Sequence, residues 1–236
     1  EFGEMRVRDT PISEGVIVGT AVGSAATGLK PIAELMFIDF LTVGMDQLVN
    51  QAAKMRYMFG GHISLPMVLR LPSGAGIGAA AQHSQSLEKW VAGIPGLKVV
   101  YPSNAEDAYG LMLTAIDDPN PVMFLEQKTL YGVPSEVPDE IGPIPLGKGR
   151  IVREGTDVSI VTYGKQVYDA LEAAEELAKD GIQAEVIDLR SLYPWDKEMV
   201  LATVAKTGKL VLVSEETKRG SWIGEIASVV AEEGFY

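Results

Sequence analysis

A carboxylate and an imidazole are the two groups in this chain best placed to move protons. Glu14 stands in TPISEG, at the head of a stretch of small and apolar residues that reads as a helix. A carboxylate there interacts favourably with the partial positive charge of the helix N-terminus. The same position also suits a carboxyl group partly buried against apolar neighbours, whose pKa rises so that it exchanges a proton with a bound ligand. Position alone leaves both readings open. His83, one of 2 histidines, lies in SGAGIGAAAQHSQS, a glycine-rich loop ahead of a short helix that Ser84 or Ser86 is placed to cap. It reads either as a hydrogen-bonded loop residue or as a proton carrier near neutral pH. His62, just after Gly60 and Gly61, is expected at the surface.

Other chemistries find little support. The glycine-rich loop lacks the third spaced glycine of a dinucleotide fingerprint and the Gly-Lys-Ser/Thr of a phosphate-binding loop. With no cysteine, disulfides, thiolate catalysis and thiolate metal sites are excluded. Two separated histidines leave only carboxylate and carbonyl ligands, which suit magnesium, calcium or alkali ions. No Gly-x-Ser-x-Gly elbow follows a strand. A net charge of −12, with scattered Lys and Arg, argues against nucleic acid and favours a basic protein partner. No apolar run approaches the roughly 20 residues of a membrane span, and the N-terminus does not read as a signal peptide, so a cytoplasmic or organelle-matrix setting is expected.

The elements that must position these groups alternate between helical and strand periods. Helix over 16–29, strand over 32–38, helix over 45–59 and strand over 65–71 come first. After the loop at 73–78 follow a short helix near 86–92, a strand over 97–101, a helix over 105–116 and a strand over 122–125. Gly15, Gly19 and Gly23 share one helical face and call for close packing, inside the unit or against another subunit. Asp117 and Asp118, in IDDPN, read as a turn. The prolines and glycines of 131–149 read as a linker. Beyond it come strands over 157–162, 184–189 and 210–214, with helices over 167–179, 197–205 and from about 223. The expected fold is α/β: two doubly wound parallel-sheet domains at 1–130 and 150–236, joined by 131–149. No sheet-closing segment is visible before Tyr236, so the second domain is expected to be incomplete at its end.

Taken together, RVRDTPISEG, FIDF, DQLVNQAAKMRYMFGG, AAAQHSQSLE, IPGLKVVYPSNAEDAYGL, NPVMFLE, PLGKGRIVREGTDVSIVTYG and EVIDLRSLYP carry a resemblance. The chain resembles the beta subunit of the first, decarboxylating component of the 2-oxo acid dehydrogenase complexes, a transketolase-like family. The resemblance runs along essentially the whole chain; the family's N-terminal segment before Glu1 and the end of its C-terminal domain are not seen. It implies a pyrimidine-binding domain followed by a transketolase C-terminal domain. It also implies a heterotetramer of two alpha and two beta chains, with beta to beta contact, and thiamine diphosphate at the interface between alpha and beta. Magnesium and the diphosphate are held by an alpha-chain Gly-Asp-Gly motif followed by asparagine, which this sequence lacks, so activity is expected only with an alpha subunit. The glycine-faced helix then gains a reason as subunit-contact surface.

Carried over residue by residue, the resemblance implies that Glu14 hydrogen-bonds the ring nitrogen of the aminopyrimidine, where a shared proton favours the imino tautomer that activates the thiazolium. It implies that Phe40 packs on the pyrimidine ring, that His83 serves acyl transfer to the lipoyl arm, and that Gln82 is a further cofactor-binding candidate. Backbone oxygens near Ala115, Asp118 and Asn120 are implied to hold potassium. The C-terminal domain is expected to dock the basic subunit-binding domain of the lipoyl acyltransferase core, in keeping with Glu215, Glu216, Glu225, Glu232 and Glu233; a solvated acidic surface is the alternative. FIDF, RYMFGG and AAAQHSQ look closer to pyruvate and acetoin members than to branched-chain ones. Competing readings are a non-catalytic assembly module of such a complex, a member acting on a branched-chain 2-oxo acid, a one-chain transketolase-like synthase and a nucleotide-binding doubly wound protein.

Overall fold

A computed structural model describes residues 2–234. The first helix, α1 (Glu14–Ala26), buries Val18, Ala21, Val22 and Ala25 along one stripe. It leads into β1 (Ile32–Glu34), shorter than the periodicity predicts. The rest of the expected strand bends out of the sheet into a 3₁₀ turn, Ile38–Phe40, where the Asp39 carboxylate accepts the backbone and side-chain N–H groups of Gln85 at 3.1 and 3.0 Å. One continuous helical rod follows: α2 (Leu41–Asp46), a π-helical stretch (Gln47–Ala52) and α3 (Ala53–Met58). Gly60 and Gly61 end it at φ +62° and +83°, a left-handed conformation that costs glycine little.

The chain continues through β2 (Val68–Ser73), α4 (Glu88–Ala92), β3 (Lys98–Val100), α5 (Ala105–Asp117) and β4 (Val122–Gln127). Asn104 caps α5 by accepting the Asp107 N–H at 2.9 Å. The second half holds β5 (Arg150–Arg153), β6 (Val158–Thr162), α6 (Gln166–Lys179), β7 (Ala184–Asp188), β8 (Ser191–Tyr193), α7 (Lys197–Thr207), β9 (Leu210–Leu212) and α8 (Trp222–Glu233).

Two sheets result, in the orders β1-β2-β4-β3-β8 and β5-β7-β6-β9. The α/β architecture agrees with the sequence reading, and most of each sheet is parallel. Each sheet nevertheless carries an antiparallel edge strand that the sequence reading lacks, β8 on β3 and β5 on β7. Both are short and partly exposed, so neither shows the buried apolar run that marks a parallel strand. Through β8 a strand of the second half completes the sheet of the first. Apolar packing crosses the same boundary, for Leu69, Val99 and Tyr101 share one core with Tyr163, Leu192 and Trp222.

Polar ties reinforce the joint. Ser103 Oγ donates to the buried Asp188 carboxylate at 2.5 Å, and Tyr168 Oη donates to the Ser103 carbonyl at 3.0 Å. Arg190, at φ +55°, reaches Asp107 at 2.8 Å and the carbonyls of Lys148 and Gly149 at 3.1 and 3.0 Å. The segment between the halves lies against α5, where Thr114 Oγ1 donates to the Ile144 carbonyl at 2.7 Å.

The glycine face of α1 packs within the chain. A Cβ on Gly15 would lie 3.4 Å from the Val43 carbonyl oxygen, and one on Gly19 3.3 Å from Gln47 Cγ. Gly15 and Gly19 therefore bring α1 against the α2 rod, the packing inside the unit that the sequence allowed. Gly23 has open space beside it.

Candidate functional site

Two of the groups singled out in the sequence, Phe40 and His83, follow the carboxyl ends of parallel strands, where open α/β sheets place their ligand crevices. The turn after β1 carries Phe40, the glycine-rich loop after β2 carries His83, and the turn after β4 begins with Lys128. Glu14 joins them because α1 lies on α2: a Cβ on Gly44 would come within 3.3 Å of the Glu14 carbonyl oxygen and 2.9 Å of Val18 Cγ2. Only glycine permits so close a crossing. Glu14 thus sits beside the first turn of the helix that Phe40 opens. It is half-buried, in the first turn of α1, and no hydrogen bond or ion pair within the described residues engages its carboxylate.

Phe40 and His83 are in direct contact. The half-buried imidazole stands edge-on to two rings, Phe40 at 5.2 Å and Phe37 at 4.7 Å between centroids, with interplanar angles of 78° and 86°. Such edge-to-face pairs are favoured by the ring quadrupoles and fix the imidazole plane. Glu14 is related to this pair through α2, against which α1 packs at Gly44. Gln82 lies on the same 3₁₀ turn, Ala81–His83, and is exposed. His62 is exposed, as expected.

The loop that carries His83 is strained and tied. Ala80 has φ +60° and ψ −171°, a region that essentially only glycine occupies. Three ties hold the segment: Asp39 on Gln85, Lys128 Nζ donating to the His83 carbonyl at 2.6 Å, and Glu215 accepting the Ala75 N–H at 2.5 Å. Burial lowers the Lys128 pKa, against the attraction of Asp39 and Glu215, and its ammonium lies 5.0 Å from the Phe37 ring centroid. Sequence reasoning missed Phe37, Asp39 and Lys128, and read Glu215 as a docking acid. A charge beside a turn ordinarily reads as solvated, and nothing local shows that Lys128 is buried. Ser84 and Ser86 do not cap α4, which starts after Leu87 without a side-chain cap.

The acidic residues of the second half divide. Glu215 turns inward to Ala75 and to Gln127 Nε2 at 3.1 Å. Glu216 is buried and accepts the N–H groups of Lys89 and Trp222 at 3.0 and 2.6 Å. These two are structural, which corrects their place in an acidic docking face; Glu225, Glu232 and Glu233 remain exposed. Beneath Glu216, Glu88 is wholly buried, and burial first, then the neighbouring Glu216, pushes its carboxyl up to about 8.

At the end of α5, Ala115 is buried in the last helical turn and Asp118 caps the helix. The Asp118 carboxylate is paired with Lys98 and accepts the backbone and side-chain N–H groups of Asn120 at 2.9 and 3.0 Å. Among the described residues no three acidic or histidine side chains cluster as metal ligands. Any ion at this turn would rest on backbone oxygens. Among the described residues no helix is long and apolar enough to cross a membrane.

Comparison with known proteins gives one consistent result. Residues 1–134 match the transketolase pyrimidine-binding domain, and residues 147–236 match the transketolase C-terminal domain. The chain is 54% identical over 230 residues to the beta subunit of acetoin:2,6-dichlorophenolindophenol oxidoreductase of Cupriavidus necator, covering 98% of this chain and 68% of that protein. It is 47% identical over 237 residues to the pyruvate dehydrogenase E1 component beta subunit of Acholeplasma laidlawii, covering 100% of this chain and 72% of that one. A solved structure described as a split-gene transketolase, inactive beta4 tetramer, superposes with a TM-score of 0.80 at 27% identity, over 94% of this chain and 69% of that chain.

Proposed function

The chain belongs to the transketolase family, uniting its pyrimidine-binding and C-terminal domains in the manner of the 2-oxo acid dehydrogenase E1 beta subunits, and we propose that it supplies half of a thiamine-diphosphate site shared with an alpha chain. The reaction is decarboxylation of pyruvate or cleavage of acetoin, followed by transfer of the two-carbon unit to lipoamide. The observation that carries this reading is the unpaired Glu14 carboxylate on the helix that packs beside Phe40, with Phe40 in edge contact with His83.

The residues present fit the pyrimidine end of the cofactor. Glu14 offers a half-buried carboxylate with no internal partner, suited to hold a proton on a ring nitrogen. Phe40 offers a half-buried aromatic surface against which a flat heterocycle stacks. Gln82, exposed on the same loop as His83, is within the segment that would line the mouth. Thiamine diphosphate supplies, when bound, the nucleophilic carbon and the electron sink that carbon–carbon cleavage beside a carbonyl requires. The chain has no Gly-Asp-Gly motif followed by asparagine, so magnesium and the diphosphate fall to the alpha subunit. Potassium, if held, rests on the backbone oxygens near Ala115, Asp118 and Asn120.

His83 acts at the transfer step. The lipoyl disulfide would be the oxidant: its S–S bond breaks as the two-carbon unit, oxidised from the aldehyde level to an acyl group, bonds to one sulfur, and the other sulfur, leaving as a thiolate, would take a proton delivered by His83. The edge contacts with Phe37 and Phe40 orient the ring for this, and the apolar wall limits water. The assembly is two alpha and two beta chains, with beta to beta contact. Exposed apolar side chains near the site, among them Val16, Met36 and Val43, support a protein partner over that face. An acetoin-type substrate accords with the higher identity to the acetoin relative. Docking of the acyltransferase core's basic subunit-binding domain falls to the exposed acids of α8.

Reconstitution tests this reading. Mixed with an alpha subunit, thiamine diphosphate and magnesium, the chain should give substrate-dependent turnover that neither polypeptide gives alone. A stable complex without turnover would instead make the chain an assembly module.

A further inference from the structure

Lys128 is a buried cation with one direct hydrogen-bond partner among the described residues, the carbonyl oxygen of His83, 2.6 Å from its ammonium. Burying an ammonium is costly unless it is compensated, so its placement at this carbonyl calls for a reason. Its surroundings supply one. The ammonium stands 5.0 Å from the Phe37 ring, the same ring that meets the His83 imidazole edge-on at 4.7 Å. A single side chain therefore fixes the His83 backbone and one of the two aromatic walls of its ring. The segment that it holds begins at Ala80, whose positive φ shows that the loop does not rest in a relaxed conformation. Asp39, buried at the Phe40 turn, secures the other side through Gln85 and adds a compensating charge for Lys128.

We propose that Lys128 is a positioning residue for the acyl-transfer step: by clamping the His83 carbonyl and the Phe37 ring, it sets the direction in which the imidazole faces the incoming lipoyl acceptor. The inference rests on the assignment of His83 to transfer. Substrate cleavage, which depends on Glu14 and the alpha chain, does not pass through this clamp. The two half-reactions should accordingly respond differently to its loss.

The test uses the reconstituted complex with alpha subunit, thiamine diphosphate and magnesium, and reads two rates. One is substrate-dependent reduction of the dye 2,6-dichlorophenolindophenol, which bypasses lipoyl transfer. The other is acyl transfer to a lipoyl domain. Lys128→Met should leave dye reduction within about threefold of the parent and lower the transfer kcat by about tenfold or more, the scale on which misplaced groups lose rate. Lys128→Arg, which restores a cation and donor, should recover most of the transfer rate. A parallel fall in both rates would mark Lys128 as merely structural, and an unchanged transfer rate would remove it from the step; either overturns the proposal. His83→Gln, measured alongside, separates the failures. If that variant transfers normally, the assignment of His83 is wrong and the Lys128 inference goes with it; if it fails while Lys128→Met transfers normally, only the Lys128 inference is wrong.

Discussion

The Glu215 carboxylate accepts the backbone N–H of Ala75 at 2.5 Å, so that a residue of the second half of the chain grips the loop that leads to His83 in the first. Its other oxygen takes the Gln127 amide at 3.1 Å. The C-terminal half thus ties down the loop that leads to His83.

Glu215→Ala should loosen this loop. A charge-assisted bond to a buried backbone donor typically contributes about 1–3 kcal/mol, and stability measured by denaturant should fall by that order. Transfer to lipoamide should fall further than the stability loss explains, because Ala75 and His83 share one strained segment. Wild-type transfer kinetics in Glu215→Ala would detach the loop from the second half.

Gly44→Ala probes the crossing of α1 over α2. The new methyl would meet Val18 Cγ2 at 2.9 Å and the Glu14 carbonyl oxygen at 3.3 Å. Alanine gains helix propensity, but overpacking at a buried crossing costs about 1–3 kcal/mol. The expected outcome is a lower midpoint of unfolding and weaker binding of thiamine diphosphate by the complex, read by titration. Unaltered cofactor affinity would mean that Glu14 is not held by this crossing.

The joint between the halves should depend on pH. Burial pushes the Glu88 carboxyl up from 4.5 to about 8 and that of Asp188 from 3.8 to about 7. Each binds its proton more tightly folded than unfolded. Its contribution is therefore fully present below the unfolded value and is lost as pH rises through the folded value. Stability from denaturant titrations should decline by a few kcal/mol between about pH 4.5 and 8. Glu88→Gln and Asp188→Asn should each remove part of that slope; slopes matching the parent in both variants would contradict the assignment.

Asp107→Asn tests the tie at Arg190. Asp107 is buried and Arg190 nearly so, with the guanidinium 2.8 Å from the carboxylate, and losing the charge on such a bond costs about 1–3 kcal/mol. The unfolding midpoint should drop accordingly. A change under about 1 kcal/mol would show that water reaches the arginine after all.

Much of this was legible in the sequence where a local signal exists. The alternation of periods and the glycines that end α3 act within a few residues of themselves, and the fold follows them. Glu14, Phe40 and His83 were singled out through their motifs. What stayed hidden depends on distant partners. The Asp39 carboxylate that draws the chain out of β1 answers to Gln85, 46 positions away. Glu215, read as surface acid, meets a loop 140 positions earlier. Ser191–Tyr193 is too short to announce a strand, yet it closes the first sheet. Lys128 reads as an ordinary surface charge until the three segments around it are assembled.

The central claim is that Glu14 exchanges a proton with the pyrimidine of a shared cofactor, and Glu14→Gln in the reconstituted complex addresses it most directly. The variant should still assemble with the alpha subunit, and substrate-dependent turnover should fall by about a hundredfold or more, the scale of lost acid–base catalysis. Turnover within a few-fold of the parent, in a complex of normal size and cofactor content, would contradict the account.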